Sequence, residues 1–231
     1  MPAPETTEAP VVDLQGISRR YGADPPVEAL RGVDLRVWPG EWVAIVGPSG
    51  SGKSTLLNIV GCLDHPTSGS YSFYGIDVAR LSDKQRAGLR SRDIGFVFQS
   101  FHLLSHRTVL ENVMVSEVYR RQPRRGRRER AKAALEKVRL GHRADFLPTR
   151  LSGGERQRTA IARSLMGSPQ VLLCDEPTGN LDSSTTATLL DLFEELNTQG
   201  LTILMITHAR EVADRARRHV GIIDGVLTET T

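Results

Sequence analysis

Apolar and polar residues along the chain follow two periods. Near the N-terminus the period is two: Val33, Leu35 and Val37 alternate with Asp34 and Arg36, and Pro39-Gly40 supplies a turn. This alternation, which runs from Val11 to about Val46, predicts antiparallel strands feeding a short, wholly apolar strand at Trp42–Val46. Residues 171–174 and 201–206 are two further apolar runs bounded by polar residues or turn formers. Strands without a polar face are buried on both sides, which implies a parallel sheet covered by helices. Between these runs the period lengthens. Residues 53–62, 124–140 (with an apolar stripe of Ala131, Leu135 and Val138), 154–166, 185–199 and 209–217 predict helices. Strand and helix alternate through the second half, so the class is α/β. A small helical insertion is expected at about 100–165, standing apart from the main sheet.

Composition adds boundaries to this picture. A chain of 231 residues, 39% hydrophobic and 25% charged, can fill one globular domain, expected over 11–228. Residues 1–10, rich in Pro, Glu and Thr, predict a disordered tail and lack the basic start and apolar centre of a signal peptide. No apolar run approaches the roughly 20 residues of a membrane-spanning helix. Direct membrane insertion is therefore not expected, and action on a membrane would require another polypeptide. Cys62 and Cys174 lie in apolar settings without CxxC spacing, which argues against a disulfide framework or zinc site and for a reducing cytoplasm. A net charge of +3 is too small to argue for nucleic acid. The arginine-rich stretch 120–130 reads first as a solvated connection and second as a contact for anionic lipid headgroups. Nucleic-acid binding comes third, because no aromatic residues interleave to stack bases.

Three motifs carry the chemistry. Gly47-Pro48-Ser49-Gly50-Ser51-Gly52-Lys53-Ser54-Thr55 lies between a buried strand and a helix and matches G-x-x-x-x-G-K-[ST]. Its glycines let backbone N–H groups turn inward around phosphate oxygens, and the helix N-terminus adds partial positive charge. Lys53 can then reach the outer phosphates, and the Ser54 hydroxyl can ligate Mg²⁺. This motif alone says only that a nucleoside triphosphate is bound. Asp175 and Glu176 close the run 171–174, at the strand end where open α/β sheets bind ligands. Asp175 suits the Mg²⁺ shell, and Glu176 can polarise a water for in-line attack on the γ-phosphate. Leu151-Ser152-Gly153-Gly154-Glu155 is a second glycine-rich helix start suited to phosphate, with Ser152 as its N-cap.

The string Leu151-Ser152-Gly153-Gly154-Glu155 resembles the signature of ABC ATPases, and that family's other motifs appear in order. Tyr21 resembles the aromatic residue that stacks on adenine. Gln99, in Phe96-Val97-Phe98-Gln99-Ser100, resembles the Q-loop glutamine that senses Mg²⁺ and the attacking water. Asn180-Leu181-Asp182 resembles the D-loop, and His208 resembles the switch histidine that contacts the γ-phosphate. The similarity runs from about Val11 to Leu227. It implies the P-loop NTPase fold of ABC ATPases: a mostly parallel core sheet, an N-terminal antiparallel β subdomain and a helical signature subdomain. It implies catalytic roles for Glu176, His208 and Gln99, and a metal held by Ser54, Gln99 and Asp175. Nucleotide contacts are implied for Tyr21, Gly47, Pro48, Ser49, Gly50, Ser51, Gly52, Lys53, Ser54, Thr55, Ser152, Gly153, Gly154 and Asp182. The implied cofactors are ATP and Mg²⁺. The implied assembly is a head-to-tail homodimer closed by ATP, each nucleotide lying between one copy's Lys53 loop and the other's Ser152 turn, acting on a separate transmembrane permease.

Further stretches resemble the lipoprotein-release, macrolide-efflux and cell-division branch: Glu176-Pro177-Thr178-Gly179-Asn180-Leu181-Asp182, and residues 58–64, 94–104 and 109–113. The sequence ends soon after Asp224-Gly225, where many sugar importers carry a regulatory domain. The resemblance implies a location on the inner face of a cell membrane, with export, lipoprotein release or mechanotransmission as output. The alternative is a division-type ATPase that controls cell-wall hydrolysis and transports nothing. Residues 99–113 would lie near the groove for the permease, with Phe101, Leu103 and Leu104 as apolar contacts. A soluble ABC protein of DNA repair or translation would carry long coiled-coil insertions or two fused ATPase halves. A small P-loop kinase would leave Gln99, residues 151–155 and His208 without a purpose.

Overall fold

The structure, a computed structural model, describes residues 9–22, 25–118 and 125–230. Most of the expected tail, residues 1–8, and residues 120–124 of the arginine-rich stretch therefore lie outside the described residues.

Period-two alternation forms the first sheet as expected. Strands β1 (Val12–Tyr21) and β2 (Val27–Val37) pair antiparallel, with Leu14 opposite Leu35 and Ile17 opposite Val33, so both bury one face. Strands β4 (Ser68–Phe73) and β5 (Ile76–Asp77) complete a four-stranded sheet of order β2-β1-β4-β5. The second sheet contains β3 (Trp42–Val46), β6 (Ile94–Phe98), β7 (Val171–Asp175), β8 (Thr202–Thr207), β9 (Arg218–Ile223) and β10 (Val226–Thr230). Its order is β10-β9-β3-β8-β7-β6, all pairings being parallel except β9 with β10.

The uninterrupted apolar runs have a direct use. Alternate residues of the central strands enter different cores: Trp42, Ala44, Leu172, Cys174, Ile203 and Met205 on one side, Val43, Ile45, Val171, Leu173, Leu204 and Ile206 on the other. The second core is shared with β1, β2, helix α1 (Lys53–Val60) and Leu89 of helix α2 (Asp83–Asp93). The first core is shared with α3 (Val109–Met114), α4 (Arg127–Lys137), α5 (Gly153–Leu165), α6 (Ser183–Thr198) and the short α7 (Arg210–Ala213).

The helices of 100–165 do not stand apart from the sheet. Leu110, Leu135 and Ile161 lie in one apolar cluster with Trp42 and Phe193, because α5 packs against both β6 and α6. The expected helix 53–62 stops at Val60, where Gly61 and the left-handed Cys62 (φ 54°) turn the chain. The expected helix 209–217 shrinks to Arg210–Ala213, because β9 must begin pairing with β3 at Arg218. Among the described residues no helix is long and apolar enough to cross a membrane.

Phe193 is fully buried and meets the Trp42 ring at 6.4 Å between centroids, tilted by 60°. Replacing it with Ala leaves a cavity at the junction of sheet and helices. Phe193→Ala is expected to lower folding stability by about 3–5 kcal/mol, read from urea denaturation. A loss below about 1 kcal/mol would show that this core is not shared.

Candidate active site

β6, β7, β8 and β3 are neighbouring parallel strands, so their C-terminal ends share one edge. The 47–55 loop leaves β3, Asp175 and Glu176 end β7, His208 follows β8 and Gln99 follows β6. Sheet topology thus gathers residues that are far apart in sequence.

The loop itself is pressed against its surroundings. A Cβ at Gly47 would sit 2.2 Å from the Ile222 carbonyl oxygen, and one at Gly52 (φ 103°) would sit 2.4 Å from that of Ala29. Gly225 N–H donates to the Ser51 carbonyl at 3.0 Å, fixing the loop from the β9–β10 turn. Lys53 is only 7% exposed, and its Nζ donates to the carbonyls of Gly47 (2.8 Å) and Pro48 (2.7 Å). Helix α1 has neither a side-chain cap nor an acidic residue in its first turn, so its N-terminal N–H groups keep their positive end open to an anion. The Ser51 hydroxyl oxygen is buried with no hydrogen-bond partner among the described residues.

Beside this cradle, burial pushes the Asp175 carboxyl above the usual range, the Glu176 charge adds to the effect, and Lys53 opposes it. Glu176 adopts φ 44°, a strained value for a residue with a side chain. Its N–H donates to Ile206 O at 3.0 Å, and its Oε1 lies 2.9 Å from His208 Nδ1, within hydrogen-bond distance. Gln99 packs on Gly179, where a Cβ would come within 2.7 Å of its Nε2, and Asn180 Nδ2 donates to Gln99 O at 3.0 Å. Ser54, Asp175 and Gln99 each carry a hard side-chain oxygen, the donor type that suits Mg²⁺.

Other expected residues lie elsewhere. Ser152 closes a capping box with Glu155, and Gly154 abuts Thr185, whose Cγ2 would be 2.4 Å from an added Cβ. The recess here, about 210 Å³, is lined by Ser152, Gly154, Arg158, Ser184 and Thr185 and includes no residue of the 47–55 loop. Asp182 caps α6: its carboxylate accepts from Ser184 Oγ (2.7 Å), Thr185 N (2.8 Å) and Thr185 Oγ1 (2.9 Å). The Ser184 and Thr185 bonds hold its carboxyl down at about 2. The side chain expected at the nucleotide thus also caps its own helix. Tyr21 stands at the end of β1 with Arg19 over its ring. Phe101, Leu103 and Leu104 do not line the cavity beside β6. That cavity, about 520 Å³, is lined instead by Phe96, Phe98, His102, Val115, Arg90 and Arg163. Phe101 is turned beneath the Arg156 guanidinium, 5.1 Å from its ring centroid.

Gln157 was not expected. It is fully buried on α5, and its Nε2 donates to Phe98 O (3.2 Å) and Pro177 O (2.7 Å), joining the residue before Gln99 to the residue after Glu176. Arg163, on the same helix, donates to Phe101 O and His102 O. A glutamine on the apolar face of an amphipathic helix is the signal that could have revealed it.

A lysine-bearing glycine loop between strand and helix, facing a carboxylate pair on a nearby strand end, defines a P-loop nucleoside-triphosphate hydrolase. The family profile for ABC transporters matches residues 30–179. The chain belongs to the ABC transporter family and is an ATPase of that family. It is 48% identical over 226 residues to the pyoverdine export ATP-binding/permease protein PvdT of Pseudomonas savastanoi pv. phaseolicola, covering 97% of this chain and 34% of that one. It is also 48% identical over 223 residues to the macrolide export ATP-binding/permease protein MacB of Marinobacter nauticus, covering 96% and 35%. The chain therefore spans about a third of the length of the curated relatives it matches. Among solved structures it resembles the ATP-binding cassette MJ0796, seen as a post-hydrolysis dimer bound to ADP and Pi (TM-score 0.84, 39% identity, 94% of this chain and 98% of that one). It also resembles cbiO1 of Clostridium perfringens, part of the transporter complex cbiONQ (TM-score 0.86, 29% identity, 96% and 88%). The macrolide export relative matches one of the three activities named for the branch that residues 176–182 resemble.

Because the Asp182 carboxyl is depressed from an ordinary 3.8 to about 2, its capping contribution is present above 3.8 and lost as pH falls towards 2. Asp182→Asn still caps α6 but does not titrate. The variant is expected to lose less thermal stability than wild type between pH 4 and pH 2 (about that window), measured by circular dichroism. Parallel acid limbs would show that Asp182 does not hold the helix start.

Proposed function

We propose that this chain is the ATP-binding and ATP-hydrolysing part of an export machine, closing on ATP with a second copy and driving a membrane permease. The observation that carries the proposal is the shared strand edge on which the Lys53 loop, Asp175, Glu176, Gln99 and His208 converge, with Glu176 and His208 in direct contact at 2.9 Å.

In this reading the 47–55 backbone and Lys53 cradle the triphosphate, and Tyr21 offers its ring to adenine. Ser54, Asp175 and Gln99 are the residues to hold Mg²⁺, and the raised Asp175 carboxyl fits a site that a divalent cation relieves. The metal supplies neutralisation of phosphate charge. Glu176 orients a water and takes its proton as the water oxygen bonds to the γ-phosphorus and the bond to ADP breaks. His208 holds the Glu176 carboxylate through Nδ1. The Ser152–Gly154 turn faces a recess separate from the phosphate loop, which supports its donation to the nucleotide of the other copy. The dimeric MJ0796 cassette offers a precedent for such pairing. The cavity beside β6 has the size and apolar lining to receive a permease segment, and the names of the export relatives couple ATP binding to a permease.

Glu176→Gln is expected to bind ATP within a few-fold of wild type, to turn it over about 10²–10⁴ times more slowly and to accumulate as a dimer on gel filtration. Normal turnover would remove Glu176 from the proton-accepting role. Ser152→Arg is expected to abolish hydrolysis while the monomer still binds ATP. Loss of ATP binding would place Ser152 in its own copy's site.

A further inference from the structure

Tyr21 is the last residue of β1, and a tyrosine at a strand end has little to fix its ring. Here it is held twice. Its hydroxyl donates to Asp64 Oδ2 at 2.6 Å, and the Arg19 guanidinium carbon lies 4.4 Å from its ring centroid, covering one face. Arg19 and Tyr21, two positions apart, share a face of the strand. Arg19 is locked by the same carboxylate, with Nε to Oδ2 at 3.0 Å and Nη2 to Oδ1 at 2.8 Å. The side chains of Arg19 and Asp64 are 23% and 21% exposed, so this fork is partly shielded from water, whereas Tyr21 remains 37% exposed. Burial alone would raise the Asp64 carboxyl, yet Tyr21, the His65 N–H and Arg19 together hold it below the usual carboxylate range.

Asp64 is itself fixed by the phosphate-loop helix. Its N–H, like that of Leu63, donates to Asn58 O in the last turns of α1, at 3.2 and 2.8 Å. The N–H of His65 donates to Asp64 Oδ1 at 2.7 Å, and Thr67 N–H donates to Ser18 O at 2.7 Å. Helix α1 has 8 residues and is about 12 Å long, and it joins Lys53 to the turn that holds Asp64.

We infer that Asp64 is the positioning residue of the nucleobase site: it sets the Tyr21 ring against Arg19 and fixes its place relative to the phosphate loop through α1. The inference rests on the reading of Tyr21 as the adenine platform. A ring held before ATP arrives does not have to be ordered on binding, and ordering one side chain weakens binding by about 2- to 10-fold. The effect is expected on the base alone, since Asp64 lies outside the 47–55 loop.

The test compares Asp64→Ala, Tyr21→Phe, the double variant and Tyr21→Ala, measuring KM and kcat for ATP and inhibition by inorganic tripolyphosphate, which has no base. Asp64→Ala and Tyr21→Phe are each expected to raise KM about 3- to 10-fold with kcat within about twofold. The double variant is expected to be no worse than Asp64→Ala alone, because that change already removes the Tyr21–Asp64 bond. Tripolyphosphate inhibition is expected to be unchanged in all of them. Tyr21→Ala, which removes the stacking surface itself, is expected to raise KM by about 10-fold or more. If Tyr21→Ala weakens ATP but Asp64→Ala and Tyr21→Phe do not, the platform stands and the positioning role falls. If Tyr21→Ala has no effect, the platform reading fails and takes this inference with it. An Asp64→Ala variant that weakens tripolyphosphate as much as ATP would assign Asp64 to the phosphate loop instead. Tyr21→Phe, which retains the fold-bearing ring, decides the matter should Asp64→Ala misfold.

Discussion

The phosphate loop has no room for side chains at two of its glycines, and much of the structure follows from that. Gly47 rests on a carbonyl of β9 and Gly52 on a carbonyl of β2, so the loop is moulded by both sheets at once. A Cβ at either position would have to displace backbone and not the end of a flexible side chain. The loop's inward N–H groups are thus held by contact with the scaffold, and Lys53 is oriented by two loop carbonyls. An anion site built this way needs little reorganisation when charge arrives.

The remaining parts are placed by strands buried on both faces. Because β3, β7 and β8 send alternate residues into two cores, neither sheet face can slip by one residue without exposing an entire apolar set. That fixed register carries Asp175, Glu176 and His208 to one edge with little freedom. The strained backbone at Glu176 is affordable in this setting, since its N–H is anchored to β8 and the turn that follows is packed against Gln99.

The central strands, the long helices and the glycine loop were legible in the sequence because each has a period or pattern with a direct physical meaning. β9 and β10 were not, because their polar and apolar residues mix, and α2 was not, because Leu89 is its sole buried residue. Candidate site residues could be named from chemistry and spacing at Lys53, Asp175 and Glu176, whereas His208 and Gln99 were named only through the family resemblance. Side-chain commitments were not legible. Nothing in the order of residues says that Phe101 turns under Arg156 or that Asp64 meets Tyr21. Those facts depend on which strands become neighbours, and parallel pairings between distant segments leave no local trace.

Helix α5 holds the stretch that follows β6 at several points: Gln157 on Phe98, Arg163 on Phe101 and His102, and Arg156 over the Phe101 ring. The glycine turn that opens this helix and the wall of the cavity beside β6 consequently belong to one lever. Moving the turn relative to the cavity wall would strain these bonds, and with them the buried bond from Gln157 to Pro177 O. Whatever a ligand at the turn does to affinity at the cavity wall through this helix, a ligand at the wall would do to the turn by the same factor.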